Sequence, residues 1–137
     1  MANEGVSGKA GKVQTGATPA DVADVMGWTI AFSYEQTAFA SSSTAKHKKR
    51  VIGVGDSTGT IKIAQQDDGA PGLTVGADVA VVLDIDGTDA NKYTGTISLT
   101  AFDGYDVDLD TGALITANFT WGQNGKLTPA GNVPAIT

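Results

Sequence analysis

Apolar side chains recur at every second position through much of the chain. Trp28, Ile30, Phe32 and Tyr34 alternate with Thr29, Ala31, Ser33 and Glu35. Ile61 and Ile63 alternate with Thr60, Lys62 and Ala64. Val79, Val81, Leu83 and Ile85 share one parity, and Ala80, Val82, Asp84 and Asp86 the other. Ile97, Leu99 and Ala101 alternate with Thr96, Ser98 and Thr100; Ile115, Ala117, Phe119 and Trp121 alternate with Leu114, Thr116, Asn118 and Thr120. A period of two sends successive side chains to opposite faces of an extended chain, so each run predicts a β-strand. Glycine or Asp/Asn clusters separate the runs, as turns require. The expectation is an all-β, single-domain sandwich or barrel of about seven or eight antiparallel strands.

Helix is scarce. In "TPADVADV", Thr18 suits a cap, Pro19 the first helical position and Asp21 the first turn. A loop leading into a strand accounts for the same residues equally well. "GTDANKY" has room for one helical turn. At most one short helix is expected. Residues 1–12, rich in Gly and Lys, read as a flexible arm ahead of a single domain over 13–137. Within that domain, residues 38–49, "AFASSSTAKHKK", read as a long polar loop between two strands.

Composition narrows the chemistry. The 137 residues hold 18 glycines, which suits many tight turns, and no cysteine, which excludes disulfides and thiolate metal sites. No apolar run is long enough to span a bilayer, so no membrane anchor is expected. "MANEGVSGKAGKV" lacks the apolar run of a signal peptide, in keeping with synthesis in the cytosol. The net charge is −6 and unevenly spread. Ten of the fifteen acids lie between Asp67 and Asp110, and four of the nine bases between Lys46 and Arg50. Gripping nucleic acid needs a broad basic surface that this chain lacks.

The stretch "DGYDVDLDTGAL" admits three readings. An EF-hand loop starting at Asp106 would place Thr111 where glycine is needed and Ala117 where the closing glutamate belongs. Asp110-Thr111-Gly112 matches an aspartic protease tripeptide, but too little chain follows to form a flap. The third reading is a hairpin. Tyr105, Val107 and Leu109 lie on one face of a strand, with Asp106, Asp108 and Asp110 as an acidic row on the other. Gly112 then turns the chain with a positive φ. The acidic row calls for solvent or a basic partner surface.

Other enzyme signatures fail. His47 is the sole histidine, which excludes a triad or a multi-histidine metal site within one chain. "GDSTG" at 55–59 reads as a turn, because Thr58 spoils the serine protease spacing. Asn118-Phe119-Thr120 is a formal glycosylation sequon inside a predicted strand. No catalytic residues and no cofactor are expected. Lys46, Lys48, Lys49 and Arg50 read either as a solvated loop or as an electrostatic contact. In the second case they complement the acidic row on another copy.

The order of these features resembles the small major tail proteins of tailed phages, which build the tail tube. The resemblance rests on "GKAGKV", "VMGWTIAFSYEQTAFAS", "KRVIGVGDSTGTIKI" and "YTGTISLTAF", then an acidic stretch and "ITANFTWGQNGKLT". The matching positions are Gly8, Lys9, Trp28, Ser41 to Thr44, Arg50, Gly53, Asp56 and Gly59. Family members usually carry a helix after the central strand pair. Here "QQDDGAPGLTVGAD" argues against one.

The resemblance implies a tail-tube-like fold and a structural virion protein, assembled in the host cytoplasm. Copies would form hexameric rings, stacked on one another and on other virion proteins, with an acidic lumen through which DNA passes. It places Ser41, Ser42, Ser43, Thr44, Lys46, Lys48, Lys49 and Arg50 in a stacking loop. Asp106, Asp108 and Asp110, or else Asp84 and Asp86, become lumen or inter-ring charges. The alternatives are a capsid decoration protein and, in another class, a calcium- or carbohydrate-binding β-sandwich module.

Overall fold

The computed structural model describes residues 11–16, 19–22, 25–65, 73–88 and 90–136. Its strands are β1 (Lys12–Thr15), β2 (Ala20–Asp21), β3 (Val25–Phe39), β4 (Lys49–Ala64), β5 (Asp78–Asp84), β6 (Lys92–Asp106), β7 (Thr116–Gln123) and β8 (Thr128–Ala130). The fold is all-β, as the alternation requires. Among the described residues the only helical element is a 3-10 turn at Ser42–Thr44.

The strands form one antiparallel sheet in the order β2-β1-β5-β6-β7-β4-β3, with β8 beside the start of β6. The sheet rolls on itself. β1 comes back against β3, and the rings of Phe32 on β3 and Tyr93 on β6 sit 5.0 Å apart although β7 and β4 separate those strands in the sheet. The interior holds Val13, Ile61, Ile63, Val81, Leu83, Tyr93, Ile97, Leu99, Ala117, Phe119, Trp121 and Leu127, with Trp28, Ile30 and Phe32 packed against them. The alternating sets of the sequence are thus the inner faces of β3 to β7. Val133 and Ile136 pack on the same core, and the Tyr93 hydroxyl donates to the Pro134 carbonyl at 3.0 Å, tying down the end of the chain.

Several expectations need correction. Ala20–Asp21 is a short strand paired with β1, and Val25 opens β3, so "TPADVADV" follows the loop-and-strand alternative. The "GDSTG" turn does not exist. Residues 55–59 run straight through β4, where Ser57 is buried and hydrogen-bonded. The turn loses to strand pairing here because Thr58 and Gly59 pair with β7 on one side and β3 on the other. The arm expected over 1–12 falls outside the described residues up to residue 10, and Lys12 already belongs to β1. The segment where a family helix was not expected lies partly outside the described residues, at 66–72.

Candidate functional interface

The two longest strands extend far past their neighbours. β4 pairs with β7 only from Thr58 to Ala64, whereas its pairing with β3 continues to Phe39↔Lys49. From Ser57 outward, β3 and β4 form a two-stranded ribbon roughly 25 Å long at strand rise. The loop expected at 38–49 is therefore shorter, and Ala38, Phe39 and Lys49 are strand. A β-bulge sets the ribbon's twist. Tyr34 faces Gly55 but Gln36 faces Ile52, so Gly53 and Val54 together oppose Glu35. At its base the Ser57 hydroxyl donates to Gln123 Oε1 at 2.7 Å, and Gln123 Nε2 donates to the Gly55 carbonyl at 3.2 Å. This stitches the ribbon to β7.

The ribbon exposes apolar and basic side chains together. Phe39, Val51, Ile52 and Val54 are 45%, 58%, 67% and 71% exposed. Lys46, Lys48, Lys49 and Arg50 are all exposed, as are Ser41, Ser42 and Ser43; Thr44 closes the 3-10 turn. Next to that turn Ala45 and Lys46 adopt φ of 53° and 65°, a left-handed conformation that costs a non-glycine residue about 1–2 kcal/mol. No acid occurs between Gln36 and Val54.

A second exposed apolar group lies on the β6–β7 hairpin. The expectation of an acidic strand face fails here. β6 ends at Asp106, opposite Thr116, and Asp108 and Asp110 sit in the connecting loop. The reason is local. Asp108 Oδ1 accepts from the amides of Asp110 at 3.0 Å and Thr111 at 3.2 Å, an Asx-type turn that outcompetes strand pairing. Gly112 has the expected positive φ, 65°. Asp103, Asp106, Asp108 and Asp110 are all exposed. Among them stand Tyr105, Val107, Leu109 and Leu114, with Leu109 at 91% exposure. Phe102 meets Tyr105 edge-on at 5.0 Å and Phe119 at a tilt at 5.1 Å, which anchors this apolar group to the core. Sequence reading missed the apolar half of both surfaces. The signal was present as neighbouring apolar residues, Val51 with Ile52 and Leu114 with Ile115, which cannot both face a core from one strand.

Asp84 and Asp86 do not form a pair of surface charges. Asp84 is fully buried, and its Oδ1 accepts from the amides of Gly87 at 2.8 Å and Asp86 at 3.2 Å. It closes the β5 turn. Asp86 accepts from the hydroxyl of Thr88 and from Asn91 Nδ2, which hold its carboxyl below the ordinary value. Among the described residues no three Asp, Glu or His side chains gather as metal ligands. A cleft of about 180 Å³ at the ribbon base is lined by Phe32, Tyr34, Asp56, Gln123, Lys126 and Ile136 among others. No helix is long and apolar enough to cross a membrane among the described residues.

No protein-family model and no curated protein matches the chain. Solved structures do. One is a chain in the tail of an empty gene transfer agent particle with C6 symmetry, with a TM-score of 0.66 at 14% identity, covering 93% of this chain and all of that one. Another is in the virion of a native gene transfer agent particle, with a TM-score of 0.62, the same identity and the same coverage. The chain therefore shares, over nearly its whole length, the fold of chains found in these gene transfer agent particles.

Proposed function

We propose that the chain is a non-catalytic structural component of a phage-type tail, located in the virion. Copies close into rings, sixfold by analogy with the C6 particle, and the rings stack into a tube with other tail proteins at its ends. The observation that carries this reading is the β3–β4 ribbon. An isolated two-stranded ribbon is marginal in water, and this one leaves Phe39, Val51, Ile52 and Val54 uncovered by its own chain. Such a ribbon is stable when another copy covers it. β3 is also a sheet edge along its whole length, and joining a neighbour's sheet removes that liability.

The charge balance fits a conduit for DNA. Outside the basic cluster at 46–50 the chain has 15 acids against 5 bases (9 minus 4). A lumen surface built from the acidic majority repels phosphate, so DNA slides without adhering. Sedimentation velocity on the purified chain over a range of concentrations tests the assembly. Growth from monomer to large particles is expected; a monomer at every concentration and salt contradicts the reading.

A further inference from the structure

The two uncovered surfaces stand at opposite poles of the subunit. Along β4, the basic ribbon tip lies beyond Lys49, while Ala64 at the other end faces Thr116, where the acidic loop returns into β7. Fifteen residue steps separate these ends, about 50 Å measured along the strand. The poles match in character as well as position. The ribbon carries four bases and no acid between residues 36 and 54; the loop region 103–115 carries four acids and no base. Both add large exposed apolar side chains, Val51 and Ile52 on one, Leu109 and Leu114 on the other.

We infer that the 107–115 loop of one copy docks on the β3–β4 ribbon of the next, head to tail, and that this contact is the joint between successive rings. The inference rests on the tail-tube reading above. Like signs repel in a two-fold, pole-to-same-pole contact, so charge selects the polar arrangement over a symmetric dimer. A contact between different poles does not close on itself along the stacking direction, and it propagates into a filament of fixed polarity. The apolar side chains supply attraction, and the charges set register and direction. Asp108 then has a positioning role. Its turn aims Leu109 and Asp110 outward at the joint.

Reciprocal charge reversal tests this. One variant carries K48E/R50E on the ribbon, and the other D106K/D110K at the loop. Asp108 is left alone because it shapes the turn, and unchanged near-UV circular dichroism checks that each variant folds. Each variant alone should raise the critical concentration for tube formation by at least about tenfold. An equal mixture should return to within about twofold of wild type, because each reversed pole finds its complement only on the other variant. Variants that form tubes as readily as wild type, or a mixture that fails to recover, overturn the joint while leaving the tail-tube reading intact. A wild-type chain that forms no rings or tubes overturns both.

Discussion

A Cβ at position 59 would lie 2.6 Å from Cζ2 of Trp121 and overlap the carbonyl oxygen of Thr29. The indole of Trp121 fills the space that Gly59 leaves, at the centre of the rolled sheet. Gly59→Ala is therefore expected to cost about 1–3 kcal/mol in denaturant unfolding, the range for overpacking a filled core. Asp108 gives a pH-dependent counterpart on the surface. The Thr111 hydroxyl first, then the amides of Thr111 and Asp110, hydrogen-bond its carboxylate and hold its pKa below the ordinary value. A depressed carboxylate pKa contributes fully above the unfolded value and is lost as pH falls through the folded one. Protection of the Thr111 amide, its exchange taken relative to the unstructured rate at the same pH, should be constant from neutrality to about pH 5 and be lost progressively below about pH 4. Asp108→Asn should keep the turn, since Asn makes the same hydrogen bonds, and remove the pH dependence.

At the scale of elements, the proposed role of the ribbon should separate stability from assembly. Ile52 is two-thirds exposed, so Ile52→Thr should leave monomer unfolding within about 0.5 kcal/mol of wild type. The same change should weaken assembly measurably in sedimentation. Ser57→Ala should do the reverse, costing about 1–2 kcal/mol because Gln123 loses its buried donor, and raising amide exchange along the ribbon. This division also explains what the sequence made legible. Runs with one face in the core, such as Trp28 to Phe32 and Ala117 to Trp121, show strict alternation and were readable. The outer halves of β3 and β4 have no face in the core, and the bulge opposite Glu35 shifts their phase, so no period remains to read. The alternating aspartates misled for the opposite reason. Asp106, Asp108 and Asp110 have a period of two without being strand, because side-chain hydrogen bonds to the next amides favour a turn. Asp84 looked like a surface acid because its buried role depends on Gly87 and β1, which alternation does not report.

At the scale of the molecule, the rolled sheet is a platform for two unlike poles, one basic and one acidic, each with uncovered apolar side chains. The polarity was legible as segregated charge in the sequence; the placing of the two poles at opposite ends of one strand was not, since it depends on β4 continuing as strand through residues 55–59. Under the proposed function such a molecule is complete only within stacked rings of its own copies. Electron microscopy of the purified wild-type chain tests this most directly. The account predicts rings of constant diameter that stack into tubes, with the ribbon and the acidic loop meeting between layers. Compact trimers, or isolated single subunits at every concentration, would contradict it.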